Sequence, residues 1–191
     1  ALGQPLPLLP LQILWINIAT DSLPALALGQ SPASPNIMKE KPHPKKENIF
    51  KKFHTFIFTA TIIQTFANII IYFYGTHLDK LLNVVTSDLS AHSHARTMVF
   101  TQIVLFELLF AFVCKEEKSL SIKSFFSNKS LIGAVIISFG LQLFMIYAPF
   151  MQTVFKTVPL SPMEWLIVIV FACAAFIVPI TTNTIRKIFK K

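Results

Sequence analysis

Charge is what this sequence has least of. Asp, Glu, Lys and Arg make up only 14% of its 191 residues, against roughly 25% in a typical globular domain. That shortage, with 53% hydrophobic residues and 19 phenylalanines, excludes an ordinary soluble domain. A mean hydropathy of +0.61 points the same way. Cysteine is scarce too. Cys114 and Cys173 lie in or at the edge of apolar segments with no metal-ligand spacing, and they read as small buried hydrophobes, not as a disulfide. No charged start with a cleavage site marks a signal peptide. The chain opens at "ALGQPLPLLP" without an initiator Met, and the expectation is a fragment of a longer protein.

Basic residues outnumber acidic ones, giving a net charge of +8. They are not interleaved with aromatics along a face, so a nucleic-acid partner is excluded. They fall between long apolar stretches, where topology determinants sit. A hydrocarbon core about 30 Å thick needs about 20 apolar residues of helix. Five segments qualify: Leu8 to Leu28, Phe53 to Tyr74, Thr97 to Cys114, Leu131 to Phe150, and Trp165 to Ile185. The expected fold is an all-α membrane protein with five transmembrane helices, embedded in a lipid bilayer.

The loops set its direction. Of the 17 basic residues, 14 lie in the loop 29–52, the loop 115–130 or the tail, leaving Lys80, Arg96 and Lys156 on the other side. The positive-inside rule makes both loops cytoplasmic, with the N-terminus outside and the C-terminus inside. The first loop holds Pro32, Pro35, Pro42 and Pro44 and is expected to be extended and semi-rigid. Its lysines read either as simple topology signals or as a docking strip for a soluble partner. "SIKSFFSNKS" (Ser121 to Ser130) predicts a short interfacial helix or turn, and the tail "RKIFKK" a snorkelling stop signal.

Only two acidic residues, Asp21 and Glu107, fall inside a span. An ionised side chain at the bilayer centre costs roughly 2.5–3.5 kcal/mol even on the lenient insertion scale, so each needs a partner or a hydrated cavity. Asn17, Thr20 and Asp21 stand at i, i+3 and i+4, which puts them on one face of an α-helix. All three offer oxygen, the ligand type of hard cations such as Ca²⁺, Na⁺ or K⁺. Pro24 cannot donate to the carbonyl of Thr20, so the helix should kink or loosen over residues 20–24. At 1.5 Å per residue, Asp21 lies about 20 Å below Leu8 and Glu107 about 15 Å below Thr97. Both sit near the midplane, where two carboxylates could converge on one ion. The alternative is a neutral carboxyl held in a structural polar core. Gln64, Asn68, Thr101, Gln102 and Gln142 read as interhelical hydrogen-bonding residues.

"PLQILWINIATDSLPALALG" resembles the sixth transmembrane helix of P-type cation ATPases, of the sarcoplasmic-reticulum calcium-pump type. "SPNIMKEKPHPKKENIF" resembles the loop that follows it in that family. "ARTMVFTQIVLFELLFAF", "SFFSNKSLIGAVIISFGLQLF" and "LSPMEWLIVIV" resemble its eighth, ninth and tenth helices. The resemblance covers essentially the whole chain. It implies that Asn17, Thr20 and Asp21 are helix-six cation ligands, with Asp21 bridging two sites, and that Glu107 completes one of them. It also implies that the Pro-rich loop couples the membrane domain to a phosphorylation domain, and that Asp21 exchanges cations for protons during transport. Two positions depart from the pattern: Ser22 stands where the animal calcium pump has glycine, and Phe110 where many relatives carry Asn.

This stretch contains no D-K-T-G-T phosphorylation motif and no nucleotide-binding domain, and the expectation is that by itself it does not hydrolyse ATP. Mg-ATP would belong to the complete pump, and the partners would be the remaining helices and cytoplasmic domains. The expected role is the C-terminal membrane segment of a cation-transporting ATPase, with Ca²⁺ as the implied ion and Na⁺, K⁺ and Mn²⁺ still open. A different expectation is a stand-alone, non-catalytic membrane protein of the same fold that binds ions or regulates a pump. An unrelated secondary transporter is disfavoured, because no inverted repeat is evident. Short loops and a plain basic tail lead us to expect a prokaryotic plasma membrane.

Overall fold

The computed structural model describes residues 6–31, 49–81, 93–115 and 128–189. Among them there is no strand. The first span runs from α1 (Pro10–Trp15) through a π-helical segment (Ile16–Asp21) into α2 (Ser22–Gly29). The second and third are α3 (Ile49–Leu81) and α4 (Ser93–Lys115), and the fourth is α5 (Lys129–Tyr147). A short α6 (Pro149–Phe155) leads to the fifth span, α7 (Pro162–Ala172), a 3₁₀ turn (Cys173–Phe176) and α8 (Ile177–Phe189). Among the described residues, five helices are therefore long and apolar enough to cross a membrane. The chain is an all-α, multi-pass integral membrane protein.

The third span is the axle of the bundle. It is 72% buried, against 11% for the second span. Its side chains meet the first, second, fourth and fifth spans in turn. Met98, Val99 and Leu105 pack against Ile71 of α3, Ile146 of α5 and Val168 and Ala172 of α7. Phe100, Val104 and Leu108 meet Ile16, Met145 and Phe155. Phe106 lies against Ala175 and Val178.

Two breaks follow local chemistry. Pro149 disfavours helical backbone at the residue before it, and Ala148 is extended at φ −74°, ψ 123°. The fourth span therefore stops at Tyr147, short of the expected Phe150, and Pro149 opens α6 as its first residue. Ser161 caps α7 in a reciprocal box with Glu164: the Ser161 N–H donates to Glu164 Oε2 (2.6 Å) and the Glu164 N–H to Ser161 Oγ (3.4 Å). The second helix runs on past Tyr74 to Leu81. Its last turns are held by Asp79, which accepts the N–H groups of His94 and Ala95 at the start of α4, each at 3.2 Å. Gly75 lets the same two helices touch, for a Cβ there would fall 2.4 Å from the Ala95 Cα. At that end of the bundle Trp165 Nε1 donates to the Tyr147 hydroxyl (2.8 Å), which donates to the Leu160 carbonyl (3.1 Å). An indole and a phenol bonded at the helix ends suit a membrane–water boundary.

Cys114 and Cys173 are free, as expected, but both are exposed where buried side chains were expected. The Pro-rich loop and most of "SIKSFFSNKS" lie outside the described residues.

Candidate functional site

The first span does not simply kink at its proline. It widens into a π-helix over Ile16–Asp21 and resumes α-helical winding at Ser22. Pro24 is buried in the first turn of α2, and its missing N–H leaves the preceding turn without a normal donor. The wider turn accommodates this. Ser22 Oγ donates to the Asn17 carbonyl, five residues back, at 3.0 Å. Single π segments of this kind recur at functional sites.

The wider winding also rearranges the predicted ligands. A π-helix turns less per residue than an α-helix, so positions i and i+3 diverge while i and i+4 come closer into line. Thr20 is turned into the bundle, only 1% exposed, while Asn17 is exposed. Asn17 Nδ2 donates to the Ile13 carbonyl (2.9 Å) and Thr20 Oγ1 to the Ile16 carbonyl (2.8 Å). Thr20 is thus turned away from Asn17, and the Asn17 hydrogen bond to its own helix uses the amide nitrogen.

Asp21 and Glu107 are brought together. Both are half-buried, and their carboxyl groups are electrostatic neighbours between the first and third spans. Glu107 Oε2 is buried and meets no hydrogen-bond donor among the described residues. Two carboxylates at 4 Å repel by about 4 kcal/mol at an effective dielectric of 20. The arrangement therefore calls for a proton or a cation between them. Phe110, one turn on from Glu107, stacks on Phe56 (5.3 Å) and Phe106 (5.6 Å). Its ring seals the α3–α4 contact and adds no ligand to the carboxyl pair.

The interhelical amides behave mostly as expected. Gln102 Nε2 donates to Gln64 Oε1 at 3.2 Å, and Gln142 Nε2 reaches Thr101 Oγ1 at 3.5 Å. Asn68 Oδ1 is buried and meets no donor among the described residues. Two residues that sequence reasoning passes over anchor the ends of the first span. Gln12, fully buried, donates to the Phe155 carbonyl (3.0 Å). Asn128 donates to the Ala27 carbonyl (3.0 Å) and to Ser31 Oγ (2.8 Å) while accepting from the Leu131 N–H (3.0 Å). Asn128 does carry a sequence signal: an Asn immediately before an apolar run marks a helix start.

Comparison with known proteins supplies the family. The one described as "Cation transporting ATPase, C-terminus" matches residues 5–189. The chain belongs to that family. It is 36% identical to a calcium-transporting ATPase of Bacillus subtilis, over 88% of this chain and 18% of that protein. Calcium-transporting ATPase 1 of Saccharomyces cerevisiae is 32% identical over the full chain and 19% of its own length. A rat calcium-transporting ATPase type 2C member 2 is 31% identical over 91% of the chain and 18% of its own length. The chain spans about a fifth of the length of these relatives. It corresponds to their C-terminal membrane region.

Proposed function

We propose that this chain supplies part of the intramembrane ion site of a Ca²⁺-transporting P-type ATPase, with Asn17, Thr20, Asp21 and Glu107 as ligands. The observation that carries the proposal is the meeting of the Asp21 and Glu107 carboxyls inside the bundle, with no donor for Glu107 Oε2 among the described residues. Paired carboxylates with flanking neutral oxygens are a donor set for a hard divalent ion. Calcium transport in the names of the relatives from bacteria, yeast and rat supports Ca²⁺ as the transported substrate. Asn17, exposed and bonded among the described residues through its amide nitrogen, leaves its oxygen to a site completed by helices of the remaining pump.

In the complete protein, ATP with its Mg²⁺ would act on cytoplasmic domains, and the loop 29–52 would carry the resulting movement to α2. The charge bias of the loops supports a cytoplasmic C-terminus and cytoplasmic loops at 29–52 and 115–130. The short loops favour a prokaryotic plasma membrane. The test is Asp21→Asn in the complete pump. Ca²⁺-dependent phosphorylation by ATP should be abolished, and unchanged Ca²⁺ activation would remove Asp21 from the site.

A further inference from the structure

The helix that carries Asp21 is fastened at both ends by buried amides. At its start Gln12 binds the Phe155 carbonyl through Nε2 and accepts the Leu9 N–H through Oε1, both at 3.0 Å. At its end Asn128, 3% exposed, reaches across from α5. Between these anchors, the hydrogen bonds of Asn17, Thr20 and Ser22 all return to their own helix. The stretch between the anchors is also where the winding changes from α to π and back.

Asn128 does more than its place in α5 requires. Capping a helix N-terminus uses one side-chain oxygen, and Ser, Thr or Asp serve as well as Asn. Of these, Asn alone brings two N–H donors. Both are spent on the end of the first span, one on the Ala27 carbonyl and one on Ser31 Oγ. The Ala27 carbonyl also accepts the Gln30 N–H (3.3 Å) where α2 ends, so Asn128 grips the last turn of that helix.

We propose that Asn128 is a positioning residue for the cation site. It holds the C-terminal end of the first span on α5, as Gln12 holds the other end, so that strain applied to this span is absorbed in the π segment bearing Asn17, Thr20 and Asp21. This rests on the cation-site reading above, and the experiment separates the two.

The decisive variant is Asn128→Ser in the complete pump, which keeps a capping oxygen for the Leu131 N–H but is too short to hold α2. Apparent Ca²⁺ affinity, read from the Ca²⁺ dependence of ATP hydrolysis, should weaken about fivefold, while turnover at saturating Ca²⁺ stays within about twofold. Asn128→Ala should weaken affinity to a similar degree and, unlike the Ser variant, lower thermal stability through the lost cap. If Asn128→Ser retains wild-type affinity while Asp21→Asn abolishes activation, Asn128 is only a cap and the proposal is overturned. If Asp21→Asn also leaves Ca²⁺ activation unchanged, the cation-site reading fails and takes this proposal with it. Should Asn128→Ser fail to accumulate, Ser31→Ala probes the same tie from the other side. A shift of about twofold in Ca²⁺ affinity supports the tie, and none refutes it.

Discussion

Asp21 and Glu107 approach each other carboxyl to carboxyl from two helices that are far apart in sequence and adjacent in the bundle. Groups so placed cannot act independently, and their removal should not be additive. In the complete pump, Glu107→Gln should weaken Ca²⁺ activation by about tenfold or more. It should weaken activation by a monovalent ion less. Equal losses for both ions would mark Glu107 as a structural residue. With Asp21→Asn already abolishing activation, Glu107→Gln should add no further loss.

Asp79 ties the second span to the third by accepting two backbone N–H groups at the start of α4. A carboxylate at a helix N-terminus gains from both the hydrogen bonds and the helix dipole. Asp79→Ala should therefore lower stability by about 1–2 kcal/mol, and Asp79→Asn by less, since an amide oxygen still accepts. Thermal unfolding of the detergent-solubilised protein reads this directly. Equal stability of wild type and Asp79→Ala would show that water replaces the carboxylate without cost.

Gly75 marks the closest approach of α3 and α4. A methyl group there would overlap backbone, not a flexible side-chain tip, so relief requires the helices to part. Gly75→Ala should destabilise the protein by about 1–3 kcal/mol, the usual range for overpacking. This loss would come despite the better helix propensity of Ala. A stabilised Gly75→Ala protein in the same unfolding assay would contradict so close a contact between these helices.

Glu164 serves two partners. It accepts from Ser161, stands 2.7 Å from His94 Nδ1, and is 2% exposed. Glu164→Ala strips the box at the start of α7 and leaves His94 without that partner, at a cost of about 1–3 kcal/mol. Glu164→Gln keeps acceptor and donor capacity in the same volume and should recover most of it. A Gln variant no better than Ala would assign the effect to charge, and restoring the hydrogen bonds would not be enough.

Much of the architecture is legible in the sequence, because apolar length and loop charge are read in the bilayer almost residue by residue. Counting from the span starts puts Asp21 and Glu107 at similar depth, and the structure brings them together. What is not legible depends on neighbours. The proline at 24 announces a disturbance in the first span, but whether it kinks or widens into π winding depends on what packs beside it. That choice splays Asn17 from Thr20. Pro149 reads as interior to a span because the apolar run continues through it, although its effect on Ala148 ends the helix. The tie from Asn128 to Ala27 needs the knowledge that α5 lies beside α2, and no local pattern carries that. Composition places Cys114 and Cys173 inside, but a membrane protein can turn a thiol outward where a soluble one would hide it.

The contrast between the third and second spans has an evolutionary consequence. Ile57, Phe58, Ile62, Phe66 and Ile69, all exposed on α3, are largely uncovered by the other described residues, so changes of volume there disturb this bundle little. Met98, Phe100 and Val104 face fixed neighbours on every side, and each change in volume there is felt by a close-packed interior. Descendants of this chain should therefore drift quickly along the second helix and hardly at all along the third. The slowest-changing surface in the molecule would be one that neither water nor lipid ever touches.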